Sequence, residues 1–227
     1  MELLLPKVRA PVLPRPSYEV LNMAFGVGAG AHLYDKSRYR SHGAITTATW
    51  AAGLHGYCLD FVAANPDNVT IPAAHTQLDF TTHDFSIVMR IYADSLVTNP
   101  YLFARGRTNN EGYFIYIAAN GRVLVWTNQN LASQNSQAPA GTILIANWYT
   151  VGISRTGASI RIYANGIDST TVAGVHIDPL TCARAAYIGT ADGGAISPFD
   201  GRIEFLRIFR GVALQPSEHL AWHNALA

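Results

Sequence analysis

Short β-type runs that alternate with turn residues are the feature that most limits the fold of this chain. From Tyr18 onward such runs recur at a spacing of roughly 8–12 residues. Three turns carry the strongest short-range hairpin signals, at Asn120-Gly121, Thr156-Gly157 and Asn165-Gly166. No repeat of roughly 20–50 residues is visible, which argues against propellers and solenoids. The pattern predicts an antiparallel sandwich or jelly roll.

The run Phe199–Phe209 is the most apolar of these segments, and a strand of this kind must lie in the middle of a sheet. Strict alternation would place Glu204 with Leu206 and Ile208 on one face, and Phe205, Arg207 and Phe209 on the other. The residues that follow, from Pro216 to Leu226, have helical spacing with Pro in the first turn. The predicted buried stripe of this helix consists of Leu220, Trp222 and Leu226.

Composition limits the partners of the chain. Its 227 residues are 49% hydrophobic and 14% charged, with a formal net charge of +1. No overall field would draw such a protein to nucleic acid, and no segment is apolar and long enough for membrane insertion. Length and composition favour one domain over residues 18–227. The polar stretch Gln129–Gln137 is predicted to be a loop within this domain.

The first 17 residues differ from the rest, because four prolines lie among Lys7, Arg9 and Arg15. Proline at this density predicts an extended arm with polyproline character. The arm either lies on its own domain or docks on a neighbouring subunit. The run Leu3-Leu4-Leu5 after Glu2 is too short for a signal peptide. We therefore expect synthesis in the cytosol, or a chain whose signal has been removed.

The chain has two cysteines, Cys58 and Cys182, and the sequence allows either one disulfide or two buried free thiols. Free thiols are favoured, because a chain of this size does not need a disulfide scaffold.

With its runs in order, the chain resembles the laminin-G-like, concanavalin A-like lectin and glucanase jelly-roll superfamily from about Leu21 to Trp222. The resemblance rests on spaced motifs rather than on one: Tyr34-Asp35-Lys36-Ser37 with His42-Gly43, Gly56–Phe61, Asp84–Ile87, Phe103–Gly106, Trp148 with Arg155, Tyr163–Gly166, Tyr187–Gly189 and Phe199–Ile203. It implies an all-β, antiparallel two-sheet jelly-roll sandwich with a short C-terminal helix, preceded here by the proline-rich arm.

Some members of this superfamily are retaining glucanases, whose chemistry needs two carboxylates about 5–5.5 Å apart. Such enzymes place them on alternate residues of one strand, and no acid-x-acid-x-acid run occurs in this sequence. No nucleophile elbow and no zinc-spaced pair of histidines occurs either. The sequence therefore predicts a protein without catalytic residues.

The resemblance also implies one structural calcium ion, held by Asp35 and Glu204. Oxygen ligands of this kind suit calcium. The alternative is that Glu204 hydrogen-bonds loop backbone, or pairs with Arg38 or Arg202.

Glycan binding is what the resemblance implies for function, and such sites combine aromatic faces with amide groups. Three groups of candidate ligand-binding residues have this character: Trp126, Asn128, Gln129 and Asn130; Arg105, Asn109, Asn110 and Tyr113; and Tyr39, Arg40 and His42. For Trp126 core packing is the alternative, because its run is apolar.

Three functions remain open from the sequence. The first is a structural or assembly protein on the surface of a virion or similar particle, such as a phage capsid decoration or tail component. It would associate with copies of itself or with capsid subunits through residues 1–17 and could also bind glycan weakly. The second is a free-standing carbohydrate-binding, lectin-like module, and the third is a glycoside hydrolase. We favour the first of these readings.

Overall fold

The computed structural model describes residues 16–225, which form sixteen strands, three short 3₁₀ turns and one helix. The first turn, Pro16–Tyr18, leads directly into the first strand. Residues 1–15 of the predicted arm lie outside the described residues. The strands are β1 (Glu19–Ala24), β2 (His32–Asp35), β3 (Gly43–Thr46), β4 (Thr49–Ala52), β5 (Tyr57–Phe61), β6 (Asn68–Ile71), β7 (Phe85–Ser95), β8 (Tyr101–Arg107), β9 (Glu111–Ile117), β10 (Val123–Gln129), β11 (Ala132–Gln137), β12 (Trp148–Thr156), β13 (Ser159–Ala164), β14 (Ile167–Asp168), β15 (Ala186–Ile188) and β16 (Asp200–Arg210).

All strand pairs are antiparallel, and they form two layers. The front sheet has the order β14-β13-β12-β7-β16-β1, and β5 with β4 pairs alongside the first part of β16. The back sheet has the order β11-β10-β9-β8-β15-β6-β3-β2, and the pairing of β2 with β1 joins the two layers. This arrangement confirms the predicted two-sheet jelly-roll sandwich.

The core lies between the inner faces of the two sheets. Phe80, Phe85 and Tyr113 stack at its centre, with ring centroids 4.7–5.2 Å apart. All three are fully buried, and each strand around them alternates an apolar inner side chain with an outer one. Rings packed at this distance add attraction beyond the area that they bury.

The hairpins predicted at Asn120-Gly121 and Thr156-Gly157 are confirmed as β9–β10 and β12–β13. The strand predicted after Asn165-Gly166 is shorter, because only Ile167 and Asp168 pair with β13. The loop predicted over 129–137 is wrong for residues 132–137. They form the edge strand β11, whose polar side chains suit a strand with one solvent-facing edge.

The helix α1 (Pro216–Ala225) packs on the outer face of the front sheet. Trp222 lies 5.2 Å from the Phe205 ring, and His219 stacks on Tyr163 at 3.9 Å. The predicted buried stripe is wrong for Leu220, which is 44% exposed, because His219 and Trp222 provide the contact instead. None of the helices within residues 16–225 has the length and apolar character that a membrane crossing requires.

Two buried histidines tie loops to the sheets. His176 bridges the hydroxyls of Thr127 and Ser136, each at 2.9 Å, and His219 bonds the Ser154 hydroxyl at 2.8 Å. Burial lowers the pKa of His176 to about 4 and that of His219 to about 3. Both rings are therefore neutral in the folded protein near pH 7. Cys58 and Cys182 are buried and unbonded, as predicted.

The lowered pKa values of the two buried histidines predict that the protein loses stability in acid. An unfolded histidine binds a proton below about pH 6.5, whereas folded His176 does so only near pH 4. Between these values each such group lowers the free energy of unfolding by about 1.4 kcal/mol per pH unit as the pH falls. We expect His176→Gln to be less stable than the parent at pH 7 and to have a shallower acid dependence. Urea unfolding from pH 7 to 4 measures this, and two parallel curves would contradict it.

Candidate functional site

A β-bulge in β16 determines which side chains reach the outer face of the front sheet. Ile203 pairs with Ile91 and Phe205 pairs with Arg90, so Glu204 is an extra residue between the two pairs. Ile203, Leu206 and Ile208 therefore point into the core, whereas Phe205, Arg207 and Phe209 point outward. Strict alternation gave the wrong face for Glu204, because the bulge turns this side chain outward with Phe205.

A cavity of about 240 Å³ lies on this outer face beside the bulge. We call it the bulge cavity. Its backbone wall is formed by the end of β1 and the turn Phe25–Val27 that follows. The side chains that give it chemical character are Lys36, His55, Tyr57, Glu204, Phe205 and Arg207. They come from three separate stretches of sequence, which the sheet brings to one place.

Glu204 provides the carboxylate of the bulge cavity, which accepts hydrogen bonds. Its carboxylate accepts a hydrogen bond from the backbone N–H of His55, and its Oε2 lies 3.4 Å from Nε of Arg90. Glu204 and Arg90 are only 9% and 4% exposed. The predicted hydrogen bond to loop backbone is therefore confirmed, but the ion-pair partner is Arg90 rather than Arg38 or Arg202. Burial lowers the pKa of Arg90, and the negative charge of Glu204 opposes this shift.

Unpartnered polar atoms are concentrated around this cavity. Within residues 16–225, twelve buried side-chain nitrogen or oxygen atoms find no hydrogen-bond partner. Two of them, Glu204 Oε2 and Arg207 Nε, belong to residues that line the cavity. Three more belong to residues that contact these two: Arg90 Nε and Nη1, of which Nε lies 3.4 Å from Glu204 Oε2 without a well-aligned hydrogen bond, and Trp222 Nε1. Buried polar groups are normally paired, since an unpaired one costs about 1–3 kcal/mol. Such a concentration is typical of a binding site rather than of a structural core.

Two aromatic rings face the polar groups. Tyr57 is 49% exposed, and its ring lies directly against Gly28, where a Cβ would come within 2.6 Å of it. Gly28 has φ of +67°, so both the nearby Tyr57 ring and the backbone conformation disfavour a side chain there. Phe205 is half-buried, and the Arg207 guanidinium lies 5.3 Å from its centroid. The cavity therefore combines apolar ring faces with hydrogen-bonding groups.

The outer face continues past Glu204 with a second aromatic pair. Trp148 lies opposite Tyr92 across β12 and β7, with ring centroids 5.4 Å apart. Arg90 lies 5.6 Å from the Trp148 ring, and Arg202 lies 4.9 Å from the Tyr92 ring. The aromatic surface thus crosses three neighbouring strands.

Cys58 lies below the cavity but is not a reactive thiol. Burial raises its pKa to about 11, and the nearby Glu204 adds to this shift while Arg202 opposes it. The sulfur is therefore protonated near pH 7, whereas thiol nucleophiles act as thiolates.

Three of the predicted glycan-binding residues are structural, so the prediction is wrong for them. Arg105 is fully buried and donates to the carbonyls of His75, Ala73 and Cys182. Tyr113 is fully buried, donates to the Leu78 carbonyl, and has a pKa that burial raises. Asn128 is also fully buried and donates to the Gly112 carbonyl. Paired core groups of this kind cannot reach a ligand.

The remaining members of the first two groups lie at the surface. Trp126 is half-buried on the outer face of the back sheet, where it stacks near Phe114 with centroids 6.1 Å apart. Trp126 also packs against the buried cluster of Ala104, Phe114 and Ala191, so the predicted core-packing alternative holds for the inner part of its ring. Gln129 donates to the Asp178 carbonyl, and Asn130 is exposed in the β10–β11 turn. Asn109 and Asn110 lie in the β8–β9 turn, and the Asn109 carbonyl accepts from the Leu131 N–H.

The third predicted group organises the loop after β2. Nδ1 of His42 accepts the backbone N–H of Asp35 at 3.0 Å, and Tyr39 packs on the main core. Arg40 is exposed with φ of +52°. These residues shape the loop, and none of them lines the bulge cavity.

Asp35 and Glu204, the predicted calcium ligands, lie in β2 and β16 with β1 between them. The Asp35 carboxylate accepts four hydrogen bonds at 2.7–2.8 Å, from the backbone of Asn22, Ser37 and Ser41 and from the Ser37 hydroxyl. No group of three or more metal-ligating side chains of His, Cys, Asp or Glu occurs in the described part of the chain. Calcium binding by Asp35 and Glu204 stays a prediction, which a comparison of the melting temperature with calcium and with a chelator tests.

Sequence reasoning missed Tyr57, Arg90, Phe205 and Arg207. A signal was present, since each of the strands β7 and β16 places polar and aromatic residues on the face opposite an apolar one: Arg90 and Tyr92 in β7, and Phe205, Arg207 and Phe209 in β16. Part of this face is covered by α1, because Trp222 packs on Phe205 and Phe209.

The comparisons with known proteins agree with this fold. A family model described as the concanavalin A-like lectin/glucanases superfamily matches residues 64–218, which is more than half of the chain. A sequence comparison with curated proteins returns no match.

Several solved structures have the same fold, among them two binding domains of toxins and one domain of an arabinanase. The binding domain of Paraclostridial Mosquitocidal Protein 1 matches with a TM-score of 0.73 and 12% identity over 93% of this chain and 53% of that one. A botulinum neurotoxin serotype D/C binding domain matches with a TM-score of 0.67 and 17% identity over 93% and 53%. The chain thus spans about half the length of these toxin chains. Domain 4 of AbnA, an extracellular arabinanase from Geobacillus stearothermophilus solved with arabinotriose, matches with a TM-score of 0.62 and 18% identity over 89% and 96%.

The buried pair predicts that Glu204 and Arg90 are coupled. Removing the carboxylate with Glu204→Gln leaves Arg90 buried without its counter-charge, which we expect to lower the free energy of unfolding by about 3 kcal/mol. The double variant Arg90→Met/Glu204→Gln should recover part of this loss, because no uncompensated cation remains. Urea unfolding of the parent, Glu204→Gln, Arg90→Met and the double variant gives the coupling energy between Glu204 and Arg90. Additive losses would show that the two groups are independent.

Proposed function

Since the chain belongs to the concanavalin A-like lectin/glucanases superfamily, we propose that it is a non-catalytic carbohydrate-binding domain that holds a glycan in the bulge cavity. The observation that carries this proposal is a single cavity that joins the rings of Tyr57 and Phe205 to the charged or polar side chains of Lys36, His55, Glu204 and Arg207. Membership of the superfamily supports either a binding domain or a hydrolase. The chemistry of the cavity favours binding.

A sugar ring offers what this cavity needs. Its hydroxyls can accept from the ammonium of Lys36, hydrogen-bond the imidazole of His55 and donate to the carboxylate of Glu204, all of which line the cavity. Its C–H faces can lie on Tyr57 and Phe205, since aromatic faces suit apolar surface with a polar rim. The volume of about 240 Å³ fits one or two sugar rings, and Tyr92 with Trp148 would contact a longer chain.

The charged groups of the cavity favour binding over hydrolysis. Retaining hydrolysis needs a second carboxylate about 5–5.5 Å from the first. The neighbouring acids are paired with arginines of their own, Glu19 with Arg207 at 2.7 Å and Asp60 with Arg202 at 3.4 Å. Glu204 is itself held by Arg90 and His55, so it has the environment of a fixed hydrogen-bond acceptor.

Arabinan fragments are the first ligands to test. The chain covers 96% of domain 4 of AbnA, whose structure was determined with arabinotriose. The likeness concerns the fold alone at 18% identity, so the probes should extend to neutral oligosaccharides of xylan, cellulose and β-1,3-glucan.

The assembly role predicted from the sequence stays a prediction, together with display on a virion or similar particle and synthesis in the cytosol. Its predicted contact segment, residues 1–17, falls almost wholly outside the described residues. We expect the full chain to be larger than a monomer in solution and a variant lacking residues 1–17 to be monomeric. Size-exclusion chromatography with light scattering measures both, and a monomeric full chain would contradict this role.

Aromatic residues of the cavity should be necessary for binding. We expect Tyr57→Ala and Phe205→Ala each to weaken oligosaccharide binding at least tenfold, which corresponds to about 1.4 kcal/mol. Tyr57→Phe should keep most of the affinity if the ring face makes the contact. Isothermal titration calorimetry with arabinotriose and the neutral panel measures these changes.

The matched control is Ile167→Ala, which removes an exposed apolar side chain at the far edge of the same sheet. It should bind as the parent does. Parent-like affinity in both Tyr57→Ala and Phe205→Ala would refute the proposed site. Hydrolysis of any panel polysaccharide that Glu204→Gln abolishes would refute the non-catalytic role.

A further inference from the structure

The outer face of the back sheet carries its own aromatic strip. Tyr101, Phe114, Tyr116 and Trp126 lie side by side on β8, β9 and β10, with neighbouring ring centroids 5.2–6.3 Å apart. Phe114 is almost fully buried beneath the other three, which are half-buried. The rings form a continuous surface that ends at Trp126, beside the polar strand β11.

Three side chains joined by hydrogen bonds, those of Arg122, Gln137 and Asn135, border this strip. Nη1 of Arg122 donates to Oε1 of Gln137 at 2.7 Å, and Nε2 of Gln137 donates to Oδ1 of Asn135 at 2.8 Å. These two bonds fix which way the Asn135 amide points, because its oxygen is already engaged. Asn135 is directly opposite Trp126 across β10 and β11, so both side chains lie on the same face.

Two donors at this place are left without acceptors. The indole N–H of Trp126 is buried and finds no partner in the described part of the chain. Nδ2 of Asn135 is not among the buried unpartnered atoms of residues 16–225, so this donor is open to solvent, whereas its oxygen is bonded to Gln137. A ligand here must therefore present acceptor oxygens to two N–H groups and an apolar face to aromatic rings. Saccharides combine these two properties.

We propose that Trp126, Asn135 and Tyr116 form a second saccharide-binding site, separate from the bulge cavity. The two sites lie on the outer faces of opposite sheets, and the whole core separates them. One short oligosaccharide cannot reach both. The domain is therefore bivalent and bridges two glycan chains, which raises its avidity for a polysaccharide. Only the bivalence rests on the proposed function of the bulge cavity; the second site does not.

The four tryptophans allow each site to be followed separately. Trp126 belongs to the second site, and Trp222 lies next to the bulge cavity through Phe205 and Arg207. Trp50, whose indole donates to the Gly30 carbonyl at 2.8 Å, is the reference. Titrating the ¹⁵N-labelled full chain with arabinotriose and the neutral oligosaccharide panel, we expect at least one sugar to shift the Trp126 indole resonance and not that of Trp50.

Asn135→Asp tests the role of the amide, because it replaces the donor by an acceptor of the same shape. We expect it to weaken binding at the second site at least tenfold and to leave the Trp222 response unchanged. The matched control is Asn65→Asp, the same change on an exposed loop residue, which should have no effect. Trp126→Phe provides a second variant should Asn135→Asp alter folding, and it should also weaken this binding.

The outcomes separate the two proposals. A Trp126 shift that persists in Tyr57→Ala and is lost in Asn135→Asp supports the second site even if the bulge cavity binds nothing. A panel without any sugar that shifts Trp126, or a shift that both Asn135→Asp and Trp126→Phe leave intact, overturns it.

For bivalence, the parent should precipitate a soluble polysaccharide that it binds, whereas Tyr57→Ala and Asn135→Asp should each fail to do so. Precipitation by both variants would overturn bivalence.

Discussion

The pairing of β16 is the constraint on which the rest of the structure depends. This strand bonds to β7 along its whole length, and on its other side to β5 in its first part and to β1 in its second. One strand with two successive neighbours needs a local change of direction, and the bulge at Glu204 supplies it. The same extra residue turns a carboxylate outward. The geometry that closes the front sheet therefore also creates the floor of the bulge cavity.

Three arginines buried in strands show how a structural cation differs from one at a binding site. The terminal nitrogens of Arg105 donate to three backbone carbonyls, and those of Arg155 bond the Thr81 carbonyl and Asp178, so that only Nε of each lacks a partner. Both tie loops to the sandwich. Arg90 has only the imperfect pair with Glu204 and two unpartnered nitrogens. A buried pair of this kind adds little net stability, although removing one partner is costly because the other charge stays buried.

Local signals in the sequence were sufficient for the fold. Hairpin turns depend on residues a few positions apart, which is why Asn120-Gly121 and Thr156-Gly157 were placed correctly. The helix start at Pro216 has the same local origin. By contrast, Gln129–Gln137 was taken as a loop, because an edge strand with one solvent-facing side need not be apolar.

The candidate site was much harder to predict. Tyr57 and Phe205 are far apart in sequence, and only the pairing of β5 with β16 brings them together. The bulge at Glu204 breaks the period of two on which strand reasoning depends, and nothing in the local sequence marks it. Arg105 and Tyr113 have the composition of a ligand site, but tertiary contacts place them in the core. Trp126 was found from its composition, whereas its partner Asn135 depends on the register of β10 and β11.

The burial of both cysteines has a practical consequence. Neither Cys58 nor Cys182 is bonded, and burial raises the pKa of both thiols. Folding then requires no oxidant, and the native thiols react slowly with alkylating reagents. A single cysteine introduced on the surface could carry a dye or a spin label selectively, with both native residues left in place. The domain is thus well suited to distance measurements between its two faces.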